Sequence, residues 1–458
     1  MLSWRQISSS SFNLHFPTLQ PLQMSRSLFD VWRTTVARIG NRPLLTDAAT
    51  ATVWSATVLD EAVDQIDAGL IGGDAWRGRI VLLALPGNRD WLVAFLLCLK
   101  RGAIPLPIDS DTPANALDRL VRELGAVALL SSTGWKFAGV SRQYPHPAAV
   151  AKAVPGPSGE LAPLLFTADE LMADLDQIVA GMGIAAADVN YGVVPMGHAY
   201  GLGNLVMPLL AHGQPLVLAS SAVPHGIADD LGRFRPTVVL LVPTLLRALV
   251  KSEIPAQTFQ SARLVLSAGD TLEAAVAQRF HERFARRIHN FYGTSETGGI
   301  AYDRDGGATL SGAGVGEVLP DVTVRRSPAG RLMVRSPAVF TIGNSEIDGA
   351  VGQHTVADHG VVGRDGVIAL EGRERQLMKI AGRRFHPIEI ETWLLSRLPL
   401  RQARIETMMD THGETRCILR YEGDVSPLEI RRKLAEEFPA WKIPRRILSF
   451  DEADKPGS

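Results

Sequence analysis

The chain has 458 residues, a formal net charge of −1, 46% hydrophobic and 21% charged residues, and two cysteines. A chain of this length is too long for one compact core, so two or three domains are expected. The near-zero charge gives no electrostatic pull toward nucleic acid or an anionic membrane, and Cys98 and Cys417, far apart and in no metal-type spacing, argue against a disulfide framework and suit a reducing cytoplasm.

The first 23 residues, MLSWRQISSSSFNLHFPTLQPLQ, are Ser-rich and lack acidic residues, a composition shared with transit peptides. They are read as an unstructured extension, 1–23, ahead of an internal start at Met24. From Ser27 helical and strand-like segments alternate. SLFDVWRTTVAR has helical spacing, RIVLLAL is a strand ending at Pro86-Gly87, and DWLVAFLLCLKRG is a buried helix stopped by Gly102. Within it Cys98 reads as a small buried hydrophobe. AIPLPID, NALDRLVREL and AVALLSS continue as strand, helix and strand. The rhythm runs on through VNYGVVPM, LGNLVMPLLAHG, PLVLA, TVVLLVP, TLLRALVKS, RLVLSAG and LEAAVAQRFHERF. Such alternation predicts an α/β fold of mostly parallel sheets covered by helices. After about residue 299 the chain turns Gly-rich and β-like, and the stretch from FHPIEIETWLLSRLP onward reads as a small α+β unit. No apolar run is long enough to span a bilayer.

The stretch PLLFTADELMADLDQI carries a puzzle. Pro163 to Phe166 reads as a buried strand, Thr167 follows, and an amphipathic helix with Leu171, Met172, Leu175 and Ile178 begins at once. The join contains neither glycine nor lysine, the residues with which loops usually cradle phosphates.

HNFYGTSETGG, residues 289–299, places an aromatic ring, a glycine, hydroxyls and a carboxylate within Tyr292-Gly293-Thr294-Ser295-Glu296. Hydroxyls can donate to phosphate, a ring can cover a purine and a carboxylate can hold Mg²⁺. Alone, the stretch reads equally as a turn after a buried strand. A second stretch, GVIALEGRERQLMKIAGRRFHPIEIE at 366–391, follows HTVADHG with Asp358. In order and spacing the two together resemble the adenylate-forming (AMP-binding) superfamily of acyl-CoA synthetases, peptide-synthetase adenylation domains and luciferases. VLSAGDTL (265–272), PMGHAYGLGN (195–204) and LPGNRDWLVAFLLCLKRGAIPLPID (85–109) extend the resemblance over most of the chain from Met24 on.

The resemblance implies a large AMP-binding domain, 24–373, with a β-rich part from about 300, and a small mobile C-terminal domain, 376–458, joined by a hinge at Arg375. It implies that Glu296 ligates Mg²⁺, Tyr292 stacks near adenine beside Gly293, Thr294, Ala268 and Gly269, and Ser295 donates to the α-phosphate. Asp358 would accept from the ribose hydroxyls with help from Arg373. His198, Tyr200 and Gly201 would border the acyl pocket, and Lys379 and Gly382 would line the thiol tunnel after rotation of the small domain. The implied chemistry is ATP-dependent activation of a carboxylic acid, giving an acyl-adenylate, then transfer to coenzyme A or a carrier-protein phosphopantetheine. An acyl carrier protein is therefore a candidate partner.

Two departures stand out. The expected phosphate loop is missing, as if excised with its flanks joined at Thr167-Ala168, and Asp169 and Glu170 bring negative charge there. The family's C-terminal Gly-Lys pair is not reached either, since Lys455 lies at the wrong spacing from Asp451. Losing one preorganised donor typically costs about 3–4 kcal/mol, or about 10²–10³ in rate. Adenylation is therefore expected to be impaired. The alternative is a non-catalytic paralogue that binds AMP or acyl-adenylate, and a variant of the first reading runs mainly the thioester half. The acyl substrate is not readable from the sequence.

Overall fold

The computed structural model describes residues 26–70, 73–139, 141–155, 161–344, 352–363, 366–373, 378–380, 383–385, 387–409 and 415–450. Extended apolar runs form the sheets. A nine-stranded sheet runs in the order Glu317–Val318, Gly298–Tyr302, His289–Thr294, Leu264–Ser267, Val238–Leu241, Asn190–Gly192, Leu216–Leu218, Pro43–Asp47, Thr52–Ser55. Its six inner strands are parallel and its edges antiparallel. A second sheet sets Ile80–Ala84 between Ile104–Pro107 and Ala128–Ser131, all parallel, with Gly134–Phe137 as an antiparallel edge. Strands buried on both faces explain the near-continuous apolar sequences. The expected α/β class holds.

Helices follow the sequence signals closely. Leu28–Ile39 begins with a capping box between Ser27 and Asp30, and Arg89–Lys100 ends just before Gly102, whose φ is +64°. LGNLVMPLLAHG is less regular than its spacing predicts: a π-helical turn, Leu202–Val206, is set between Ala199–Gly201 and Met207–His212. Such turns re-aim side chains and are frequent at functional sites.

The join at Thr167 has a clear physical account. Strands β1 (Ala148–Pro155) and β2 (Leu161–Thr167) form an antiparallel hairpin, and helix α1 (Ala168–Met182) leaves β2 directly. Thr167 is its N-cap: Thr167 Oγ1 accepts from the Glu170 N–H at 3.2 Å, and Glu170 Oε2 accepts from the Thr167 N–H at 2.8 Å. This capping box is why no glycine or lysine is needed. Glu170 brings no charge to a phosphate site, because it is buried and its other oxygen accepts from the Thr341 hydroxyl at 2.6 Å. The join at Thr167 is thus a capped strand-to-helix connection. Gly156, Ser158 and Gly159 lie ahead of β2, outside the described residues.

Beyond the nine-stranded sheet, Thr323–Arg326, Arg331–Arg335, β3 (Gln353–Val362) and β4 (Ile368–Arg373) make an antiparallel sheet. The C-terminal unit has its own apolar core, built by helix α2 (Pro387–Arg397), strands Leu400–Met409, Thr415–Gly423 and Arg446–Ser449, and helix Pro427–Glu437. Glu389 and Glu391 serve this unit's architecture: Glu389 pairs with Lys442 at 3.0 Å, and Glu391 Oε1 accepts from the Ile405 N–H at 2.6 Å. Leu394 is core, whereas Trp393 packs on Phe438 and also reaches the cleft described below.

Two predictions follow from burial. Glu170→Ala leaves the Thr341 hydroxyl and the Thr167 N–H without their acceptor and is expected to destabilise the protein by about 2–4 kcal/mol, read as a lower urea midpoint. Burial pushes the Cys98 thiol up, and that of Cys417 up to about 12. Since the thiolate is the nucleophile, both cysteines should resist iodoacetamide in the native protein and react once it is unfolded, as mass spectrometry would show.

Candidate active site

A cleft of about 880 Å³ opens between the large α/β lobe and the C-terminal unit. Its volume suits a nucleotide-sized ligand. The large lobe contributes Gly293, Thr294, Ser295 and Glu296, the turn after Ser267 with Ala268 and Gly269, and the segment bearing His198 and Tyr200; the C-terminal unit contributes Glu389, Trp393, Trp441 and Lys442.

The turn around Gly293–Glu296 can join its two flanking strands only because its backbone is tight. Strand His289–Thr294 pairs antiparallel with Gly298–Tyr302, and a Cβ on Gly293 would come within 2.5 Å of the Gly298 carbonyl oxygen. The Thr294 and Thr297 hydroxyls lie 3.1 Å apart, and the Glu296 carbonyl accepts from the Phe340 N–H at 3.2 Å. These bonds fix Ser295 and Glu296 at the cleft wall. Gly269, with φ of +88°, turns the chain out of the neighbouring strand.

Tyr292 and Asp358 are buried beside this turn, with the tyrosine hydroxyl donating to Asp358 Oδ2 at 3.0 Å. Asp358 on β3 is in register with Arg373 on β4. The structure thus brings together Ala268, Gly269, Gly293 to Glu296, His198 and Tyr200 around one cleft, whereas Tyr292 and Asp358 are buried and do not line it, with the Asp358–Arg373 backbone pair next to Tyr292. Gly201 is buried and does not line the cleft; a Cβ there would collide with the Pro195 carbonyl oxygen. Only the backbone of Lys379 is described, on the strand Met378–Ile380, and Arg375 and Gly382 lie outside the described residues.

Several cleft residues escaped the sequence reading. Asp109, quoted only as the end of a strand, lies 3.0 Å from His198 Nε2 through Oδ1, while Oδ2 accepts from Trp441 Nε1–H at 3.0 Å. One carboxylate therefore joins the His198 segment of the large lobe to the small unit. An Arg119–Glu437 ion pair adds a second link. Lys152, in AAVAKAVP, and Asp174 on α1 also line the cleft and are both buried. A lone lysine inside an apolar strand was the available signal. Tyr200 stacks on Phe291 with centroids 6.1 Å apart, and its hydroxyl is buried without a partner, which raises its pKa.

Among the described residues no three His, Cys, Asp or Glu side chains cluster as a metal site. Glu296 brings one carboxylate to the cleft beside Ser295, a donor that suits Mg²⁺, which usually takes one or two protein carboxylates and completes its shell with substrate phosphates and water. When bound there, Mg²⁺ would neutralise phosphate charge.

A large lobe of helix-covered parallel sheets, a β-rich sheet and a small α+β unit over a cleft form the architecture of adenylate-forming enzymes. The chain belongs to the AMP-binding enzyme family, whose pattern matches residues 32–155 and 164–341. The match runs unbroken across Thr167-Ala168 and breaks at 156–163, at the hairpin turn. Among curated proteins it is similar to the 4-hydroxybenzoate–CoA/benzoate–CoA ligase of Rhodopseudomonas palustris, 27% identical over 312 residues (60% of this chain, 56% of the relative). It is also similar to the benzoate–CoA ligase of Thauera aromatica, 27% identical over 242 residues (49% of this chain, 46% of the relative). The chain thus spans about half the length of these relatives. In fold it is similar to a double mutant of the o-succinylbenzoate CoA synthetase from Bacillus subtilis bound with a product analogue, with a TM-score of 0.81, 16% identity, and coverage of 92% of this chain and 94% of that one. No described helix is long and apolar enough to cross a membrane.

Trp441→Phe keeps the ring and removes its bond to Asp109. At about 1–1.5 kcal/mol for one such bond, the closed arrangement should weaken by roughly five- to tenfold, read as faster proteolysis between the lobes with an unchanged unfolding midpoint for the large lobe.

Proposed function

We propose that this chain is a carboxylate-activating ligase that forms an acyl-adenylate and passes the acyl group to the thiol of coenzyme A or of a carrier-protein phosphopantetheine, with adenylation the impaired half-reaction. The observation that carries this reading is the cleft itself, lined by the Gly293–Glu296 turn of the large lobe and by side chains of the C-terminal unit. In this reading Ser295 and the turn's backbone hold the α-phosphate, Glu296 holds Mg²⁺, and Asp358 with Arg373 holds the ribose beside Tyr292. His198, Tyr200 and Gly201 border the acyl group, and rotation about Arg375 brings Lys379 and Gly382 to the thiol.

Slow adenylation is supported by the segment where the family match breaks. Residues 156–163 read GPSGELAP, with glycines but no lysine or arginine. A glycine-containing segment of this composition can offer N–H groups to phosphate but no positive charge. The same break favours the second reading, a non-catalytic protein that binds AMP or acyl-adenylate. Aromatic acids are the first substrates to try, because the acyl side is walled by the Tyr200–Phe291 pair and the relatives described above are named for benzoates.

ATP–pyrophosphate exchange over a panel of acids is expected near background, while preformed acyl-adenylate plus coenzyme A yields thioester. Glu296→Ala should lower any exchange by a further 10²-fold or more. Robust exchange would overturn the claim of impairment. Absence of thioester, together with a thermal midpoint raised by AMP, would favour the non-catalytic reading.

A further inference from the structure

Lys152 belongs to no part of the machinery described so far. It lies on β1, between the core residue Val150 and the hairpin turn, and is 6% exposed. Its ammonium rests 4.0 Å from the Phe166 ring centroid and 3.4 Å from the Ser295 carbonyl oxygen. Among the described residues no carboxylate comes within ion-pairing distance of it. The other basic groups at the cleft are differently placed: Arg119 pairs with Glu437 and Lys442 with Glu389, while Arg397 is exposed on α2.

An amine so placed is costly to keep. Burying an ammonium without an ion pair costs several kcal/mol, and an apolar side chain of the same length would be more stable there. Burial lowers the pKa of Lys152, while Asp174, Glu296 and Glu170 pull it back up from a distance. The same lack of solvent raises the pKa of Asp174, whose Oδ1 accepts from the Gly299 N–H at 2.8 Å. The Asp174 carboxylate is therefore occupied in holding the turn and does not neutralise the amine by contact. What the position does offer is access to the space beside Ser295 and Glu296.

We propose that Lys152 binds the phosphate group of the nucleotide in the cleft, supplying from the strand the positive charge that the sequence of residues 156–163 lacks. The inference rests on the adenylate-binding reading above and adds a residue to it. Phosphate next to Lys152 gives the amine the anionic partner that the folded chain withholds, and a charge-assisted bond in a water-poor site is stronger than one at the surface. The lysine then discriminates between ligands that share the adenosine moiety but differ in the phosphate.

The test is calorimetric binding of AMP, adenosine and inorganic pyrophosphate to the full chain and to Lys152→Met, with unfolding midpoints for each. The wild type should prefer AMP over adenosine. Lys152→Met should lose at least tenfold in AMP and pyrophosphate affinity, keep its adenosine affinity, and unfold at an equal or higher temperature. Lys152→Gln, which keeps a polar tip without the charge, should show the same loss. An AMP preference retained in both variants overturns the proposal and leaves the adenylate reading standing. A lower midpoint with unchanged preference, restored by adding Asp174→Asn, identifies a structural partner of Asp174 and also overturns it. If the wild type binds neither AMP nor adenosine, the adenylate reading itself fails, and the proposal with it.

Discussion

Three buried polar side chains on one face of α1, Glu170, Asp174 and Gln177, hold the large lobe to its cleft. Each reaches a different segment: Glu170 takes the Thr341 hydroxyl, Asp174 the Gly299 N–H, and Gln177 exchanges bonds with Ser336. Spacings of four and three residues put them in one row on a helix. Buried polar groups are tolerated only when satisfied, and these satisfy one another's partners at the same time. The row therefore specifies how the helix, the Tyr292–Glu296 hairpin and the β-rich sheet meet. Apolar packing alone would leave that register loosely defined.

The cleft's second wall depends on a different device. Asp109 uses one oxygen for His198 and the other for Trp441. A carboxylate has lone pairs enough for both, so the His198 segment of the large lobe and the small unit share a single acceptor. The position of Trp441 and the surroundings of His198 are thereby tied through one side chain.

Much of the fold was legible because burial on both faces writes itself as apolar runs, and helix ends write themselves as Ser27, Asn88 and Thr167 caps. The Tyr-Gly-Thr-Ser-Glu turn was legible as a motif, since its tightness demands glycine. Less readable was anything set by contacts across long separations. Asp109 and Trp441 lie 332 positions apart, and Glu170 and Thr341 lie 171 apart. The acidic pair after Thr167 looked like misplaced charge, because a capping box and a hostile phosphate site have the same composition. The strand's start was also shifted: β2 begins at Leu161, two residues before the apolar run that Pro163 opens.

The hairpin of β1 and β2 is in register from Val150 opposite Phe166 to Pro155 opposite Leu161, with a shift between Ala148 and Val150. These pairs are made by the strands themselves and need nothing from residues 156–160. Substitutions in that segment accordingly leave the strand pairing its bonds, and a lineage can rewrite the segment while inheriting the scaffold on either side of it.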